Sequence, residues 1–374
     1  MRKQPIIFVT PELGLSPNGP ATYAHYLFEQ FKDDPDLQFE VVARTKGINS
    51  PIVHDIGEQN TSREFYSALN RKSLEIALKA KQKPIVHFNI SQIGKPAVKH
   101  GLTSFFQIND DDNAMLPKRA LKTLLRDGPK RLVSLYWRRK QEAFAIHHGS
   151  LCICNSNHTR SSIIDAYKPE KECHIRTVHK SVDTEFFSPK ARLTQGTSLN
   201  VLFVGSNWRR KGLISAIKAL ECIQYPVRFD IAGPSEKEFK AHILPQSNRE
   251  AKDLTLHNHG LANRDTVKAL HQSAHLFLLP SEAEAFGVTI LESLASGTPV
   301  IGSNVGGIPE ILNGLDCAAL VEPNNTDQLQ NTIEKMMPAL LNDPSLINKS
   351  RKAAMNFSKK VMLKKIKDLY LAHA

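Results

Sequence analysis

The chain has no apolar run long enough to cross a bilayer as a helix, and no charged-then-apolar leader precedes its first strand-like segment at residues 6–9. The expectation is a cytoplasmic protein, at most peripheral to the cytoplasmic membrane face. Cysteine is scarce and unorganised. Cys152, Cys154, Cys173, Cys222 and Cys317 are odd in number and scattered, and no pair has metal-site spacing, which leaves them as reduced thiols. No internal repeat or low-complexity segment is present, so a repeat array is excluded. Acid is in deficit: 37 Asp and Glu stand against 49 Lys and Arg, a net charge of +12. That balance suits an anionic ligand, an anionic membrane or a nucleic acid, and does not choose among them.

What is present is a chain of 374 residues, long enough for two domains of ~150 residues each. Apolar runs of strand length fall at 6–9, 39–43, 85–89, 103–108 and 151–154, and again at 200–204, 229–232, 275–280, 300–302 and 320–321, while residues 254–261 lead through Gly260 to a turn at 263–265. Helical spacing fills the gaps at 21–31, 63–79, 158 onward, 213 onward, 288–296 and 326–340, and a last basic amphipathic helix covers 345–372. Residues 44–62 read as loop, and 189–200 as a polar linker. Strands alternating with helices in both halves predict an α/β protein with parallel sheets.

One stretch organises the rest. The strand-like run 275–280 ends at Pro280. It is followed by Ser281-Glu282-Ala283-Glu284-Ala285-Phe286-Gly287 and then by the apolar helix 288–296, which Gly297 stops. Gly287 lies at the helix start, where bare backbone N–H groups attract anions. Glu284 stands on the loop and Glu292 about one and a half turns into the helix. Two such acids can be solvated surface groups, or they can bracket a ligand whose phosphate rests on the helix end. A second short strand then leads to Gly306-Gly307.

The run from Pro280 to Leu312 resembles the signature of the retaining GT-B glycosyltransferases of family 4. Glu284 and Glu292 stand as its Glu-x7-Glu pair, and Gly306 and Gly307 as its glycine turn. Residues 151–160 and 176–189 also resemble this family, with Lys180-Ser181 in place of its Asn-Gly. The resemblance implies a GT-B fold, two Rossmann-like domains whose parallel sheets face across a cleft. The implied division is 1–188 for the acceptor side, 189–345 for the nucleotide sugar, and 346–374 for a helix that crosses back to the first domain. It implies a retaining, metal-independent hexosyltransferase that uses a nucleotide-diphosphate sugar, a UDP-sugar in the favoured case, as donor and no other cofactor. The acceptor would be a saccharide or lipid-linked saccharide, as in cell-surface polysaccharide or lipopolysaccharide synthesis. No specific nucleic acid partner is expected.

The site residues follow by position. Arg and Lys after the first strand of the second domain hold the donor diphosphate in this family. Ser206 occupies the usual Arg place after Gly205, so the role moves to Arg210 beside Lys211, with Arg209 as the alternative. Such a basic turn can also be merely exposed. Gly233, the turn carrying Arg264, and Phe286, Gly287, Val288 and Thr289 would line the nucleotide and its phosphates. Glu292 would take the ribose hydroxyls and Glu284 the sugar. In the first domain, Gly19-Pro20 replaces a glycine pair on a loop that contacts the donor in the family, and can equally be a simple turn. Asn109 and Asp110 stand where the family often has a histidine, and can hydrogen-bond a sugar hydroxyl. The run Asp110-Asp111-Asp112 can be a metal site, or a loop with a helix cap, which is the reading adopted.

Residues 117–148 read as two helices split at Gly128-Pro129. Lys118, Arg119, Lys122, Arg126, Lys130, Arg131, Arg138, Arg139 and Lys140 alternate there with Leu, Tyr136 and Trp137. The segment 117–140 can meet anionic lipid or show its charges to water. Two other functions stay open: a nucleotide-sugar epimerase on the same scaffold, and a catalytically idle protein that binds polyanions or lipid.

Overall fold

A computed structural model describes residues 3–14, 19–45, 48, 50–190, 198–248 and 253–373, without the side chains of 19, 117–127 and 173. The loop 15–18, the linker 191–197 and the side chains of Cys173, Lys118, Arg119, Lys122 and Arg126 therefore lie outside the described residues. The chain forms two compact units, residues 1–180 with 362–374, and residues 181–361.

The first unit contains β1 (Gln4–Leu13), α1 (Gly19–Phe31), β2 (Leu37–Thr45), β3 (Val53–Asp55), α2 (Ser62–Lys79), β4 (Ile85–Phe88), α3 (Lys95–Lys99), β5 (Thr103–Ile108), α4 (Asp112–His148), β6 (Leu151–Cys154), α5 (Asn157–Tyr167) and β7 (Ile175–Thr177). Its seven strands pair in the order β3-β2-β1-β4-β5-β6-β7, all parallel. A parallel sheet is covered on both faces, so its strands are continuous apolar runs. Here β4 and β6 are buried at every position. Thr61 caps α2 in a capping box with Glu64. Residues 112–148 form one kinked helix, with Gly128 at φ 80° marking the break expected at Gly128-Pro129.

The second unit contains β8 (Leu199–Val204), α6 (Leu213–Glu221), β9 (Val227–Ala232), the single turn α7 (Glu236–Glu238), β10 (Leu254–Asn258), α8 (Arg264–Ser273), β11 (Leu276–Leu279), α9 (Val288–Ala295), β12 (Val300–Ser303), α10 (Ile308–Leu312), β13 (Ala318–Val321), α11 (Thr326–Asn342) and α12 (Ser345–Met355). The strand order β10-β9-β8-β11-β12-β13 is the Rossmann order 3-2-1-4-5-6, again all parallel. Its switch point lies where β8 meets β11. Ligands of such sheets bind beyond the carboxyl ends of the strands at that point.

The sequence expects one helix over 345–372. The structure breaks it at 356–358, because Ser358 bridges Val182 and the backbone of Val182 bonds to Phe357 and Lys359. Two helices result, α12 and α13 (Lys359–Ala372). The same bridge puts residues 181–188 in the second unit rather than the first. Arg351 on α12 donates to the carbonyls of Thr184, Phe187 and Ala295, so α12 also belongs with the second unit. From Met362 onward, α13 completes the first unit's core with Met362, Leu363, Ile366 and Tyr370.

Candidate functional site

In the second unit, glycines let four loops crowd together at the switch point. Gly233 has φ +129°, and a Cβ there would overlap the carbonyl of Gly205. Gly306, at φ +58°, leaves room for the carbonyl of Glu284, which accepts from the N–H of Gly307 at 3.2 Å. The turn after β8 is closed by Lys211 N–H on the Asn207 carbonyl, and it is tied to the loop after β11 by Glu282 N–H on the Arg210 carbonyl, 2.8 Å. The stem of Lys211 lies over Gly205, where a Cβ would overlap it.

This geometry joins two groups that are 73 residues apart. Lys211 Nζ donates to Glu284 Oε2 at 3.2 Å. The two side chains are 14% and 13% exposed, so the pair is poorly screened by water. Gly287, at φ 103°, precedes α9, whose first N–H groups have no partner inside the helix. Thr289 Oγ1 in the first turn of α9, and Ser281 Oγ and Arg210 Nε on the two tied loops, are buried without a hydrogen bond to a described residue. Glu292, one turn further on, is 21% exposed, 4.0 Å from His271 Nε2. Burial pushes its carboxyl up to about 7, while Arg264 and Lys211 pull it the other way. Arg264 opens α8, stacks on Phe186 at 4.2 Å and reaches Asp183 at 3.8 Å.

Of the residues expected to hold the donor, Gly205, Arg210, Lys211, Gly233, Glu284, Gly287, Val288, Thr289 and Glu292 belong to this second-unit assembly. Phe286 differs: the whole residue is 2% exposed and its ring packs against Phe357, which makes it part of the core. Gly19 is the first residue of α1 in the other unit.

In the first unit, Asn109 is a hub. Its amide nitrogen donates to the Asn89 carbonyl at 2.9 Å, its side-chain oxygen accepts from Lys180 Nζ at 2.7 Å, and its carbonyl accepts from Asn155. The hub joins the carboxyl ends of β4, β5 and β6. Lys180 is 8% exposed and lies over the Tyr23 ring at 4.6 Å. Burial lowers its ammonium to about 8, against the pull of Asp110. Asp110 Oδ1 accepts from Asp112 N–H at 3.2 Å at the start of α4, and Asp111 lies 3.4 Å from His158. Among the described residues, no group of three or more His, Cys, Asp or Glu could hold a metal ion. Beside Asn109 and Asp110 is a cavity of about 190 Å³ lined by Gln107, Asn113, Arg131, Arg138 and Glu142.

Sequence reasoning missed two of these groups. Glu142 is a lone acid in a basic segment, yet it is 2% exposed and accepts from Ser91, Asn113 and Tyr167. Lys180 could have been found, because it is where the chain departs from the Asn-Gly of the resembled family.

A Rossmann-order sheet with a cation–carboxylate pair and a helix start at its switch point defines a nucleotide-binding class of domain. Residues 185–357 match the family model "Glycosyl transferases group 1". An uncharacterised glycosyltransferase of Methanocaldococcus jannaschii is 32% identical over 140 residues, 37% of this chain and 35% of that protein. An N-acetyl-α-D-glucosaminyl L-malate synthase of Bacillus anthracis is 29% identical over 193 residues, 49% of this chain and 49% of that one. The chain thus matches less than half the length of these relatives. Among solved structures, a sucrose-phosphate synthase of Thermosynechococcus elongatus superposes with a TM-score of 0.75 at 16% identity, over 99% of both chains. WaaG, a glycosyltransferase of lipopolysaccharide biosynthesis, does so with 0.72 at 17% identity, over 98% of this chain and 99% of that one. Residues 185–357 thus belong to the glycosyl transferases group 1 family, and the chain has the GT-B fold. Among the described residues, no helix is long and apolar enough to cross a membrane.

Proposed function

We propose that the protein is a retaining glycosyltransferase that moves a hexose from a nucleotide-diphosphate sugar to a saccharide or lipid-linked saccharide. The observation that carries this is the Lys211–Glu284 pair beside the start of α9. When the bond from the anomeric carbon to the diphosphate breaks, negative charge grows on phosphate oxygens and positive charge on the sugar. Preorganised cations and dipoles stabilise the first, and a carboxylate the second. Arg210, Lys211 and the N–H groups of Gly287, Val288 and Thr289 receive the diphosphate. Glu284 holds sugar hydroxyls and faces the cationic carbon. Glu292 accepts from the ribose hydroxyls, and Gly233 and Arg264 border the base. The acceptor hydroxyl, held near Asn109 and Asp110, attacks from the face the diphosphate leaves, and its proton passes to the departing oxygen. The similar structure of Anabaena HepE was solved with UDP and with UDP-glucose, which favours uridine.

The test uses substitution with chelation. Arg210→Ala should weaken nucleoside diphosphate binding and lower turnover together, because one guanidinium serves ground state and leaving group. Chelator should leave transfer intact. Loss of transfer on chelation, restored by magnesium, would overturn the assignment of charge neutralisation to Arg210 and Lys211. An effect of Arg209→Ala with none of Arg210→Ala would move the role by one residue.

A membrane reading of the acceptor side also has an observation behind it. Val133, Tyr136 and Trp137 are 68%, 47% and 43% exposed on one side of α4, with exposed Lys130 and Lys140 among them. This side suits an anionic bilayer surface, where a lipid-linked acceptor would be met. Binding to anionic vesicles that salt weakens is expected; equal, weak binding to neutral vesicles would leave it an ordinary solvated face.

A further inference from the structure

The side of α4 opposite Val133, Tyr136 and Trp137 carries a different arrangement. Arg131, Leu135, Arg138 and Glu142 recur at helical spacing, and all four line the cavity beside Asn109 and Asp110. They form a gradient from rim to floor: Arg131 is exposed, Arg138 half-buried, and Leu135 and Glu142 buried. Every carboxylate on the cavity wall is engaged inside the protein. Glu142 accepts from Ser91, Asn113 and Tyr167, Asp110 accepts from the Asp112 N–H, and Asp112 has interactions of its own. The two arginines differ. Neither makes a hydrogen bond or ion pair with any described residue, although Asp110 lies within electrostatic range of Arg138. Their neighbour Arg139 shows what a structural arginine does here: it donates to the carbonyls of Asn113, Ala114 and Ala166 and stacks on Tyr167 at 4.6 Å.

Size and charge narrow the ligand. A space of about 190 Å³ holds roughly one sugar ring, and it is below the ~300 Å³ at which ligand pockets begin. An acceptor seated on Asn109 and Asp110 must therefore extend past the rim, where Arg138 and Arg131 lie about 10 Å apart along the helix. Burial holds Glu142 up to about 7, so near neutrality it is only partly ionised and opposes the arginines weakly. Planar guanidinium groups grip phosphate with paired hydrogen bonds. Resting on the reading of this cavity as the acceptor site, we propose that Arg131 and Arg138 clamp a phosphate group of the acceptor, which is thus a phosphorylated saccharide or polyol.

The test is NMR of full-length protein labelled with ¹⁵N-arginine and saturated with UDP, so that the donor site is occupied. Inorganic phosphate is titrated in while the Nε–H signals of Arg131 and Arg138, assigned with R131K and R138K, are followed. Both signals should shift saturably, R138A should weaken phosphate binding about tenfold, and R138K should keep part of it. The proposal is overturned if neither signal moves, or if the R131A/R138A double variant binds phosphate as the wild type does. Phosphatidylglycerol vesicles are the second probe. Shifts with vesicles but not with phosphate would assign the arginines to a bilayer surface and overturn the clamp. UDP binding is read in the same samples: its absence would sink the donor reading, while the phosphate titration without nucleotide still decides on the clamp.

Discussion

Glu292 should make donor binding depend on pH. Its carboxyl is raised from 4.5 to about 7 by burial on α9. That rise of about 2.5 corresponds to roughly 3 kcal/mol, at 1.36 kcal/mol per pH unit, spent on keeping the empty site ionised. Ribose hydroxyls donate, so they select the ionised carboxylate. With a value near 7, about a tenth of the molecules are ionised at pH 6 and about nine-tenths at pH 8. The affinity for UDP-glucose, a diester that does not itself titrate in this range, should then fall about tenfold from pH 8 to pH 6. Calorimetry across that range, in buffers of different ionisation enthalpy, should show a proton released on binding below pH 7. Glu292→Gln should flatten the profile and abolish the proton release. Wild-type affinity that stays within twofold from pH 8 to pH 6, or an unchanged profile in Glu292→Gln, would refute the assignment of Glu292 to the ribose.

Two further outcomes are expected. Glu284→Gln keeps the shape of the side chain but removes the charge that pairs with Lys211; turnover should fall by roughly two orders of magnitude and donor binding by less. Activity within twofold of wild type would remove Glu284 from the catalytic group. Glu142 is likewise held up to about 7 by burial. Its neutral form suits the fold, so its contribution is complete at acid pH and is lost as pH rises through 7. Glu142→Gln should therefore lessen the loss of stability between pH 5 and pH 8 by roughly 2 to 3 kcal/mol in urea denaturation, and an equal loss in both proteins would show that the carboxyl ionises without penalty.

Most of the architecture was legible because parallel strands buried on both faces leave continuous apolar runs, as at residues 85–88 and 276–279. What escaped had no such run. β3 is three residues long and half-exposed, held by its register with Val41, and α3 has only five residues. The break at 356–358 is invisible to periodicity, since the amphipathic stripe continues through it and a partner 176 residues away, Val182, interrupts the helix. The donor residues were readable individually, because each follows a strand end, but their meeting is a property of strand order: β8 lies beside β11, so Lys211 finds Glu284. Glu142 was hidden because a single charged residue carries no period, and Lys180 showed only as a departure from the resembled Asn-Gly. Their burial is set by partners such as Tyr167 and Asn109 that only the fold supplies.

The first unit is discontinuous in sequence, and this orders events during synthesis. Its core includes Tyr370, fully buried, whose hydroxyl is hydrogen-bonded to His87 Nδ1 at 2.7 Å and whose ring stacks on Phe105 at 6.0 Å. Domains made on the ribosome usually fold from the amino end onward. Here the sheet of the first unit must wait, with an apolar face open where Met362, Leu363 and Ile366 will lie, until residues 362–370 have been made. The second unit, continuous from 181 to 361, is whole before that. The unit whose strands are made before the other's is thus completed after it.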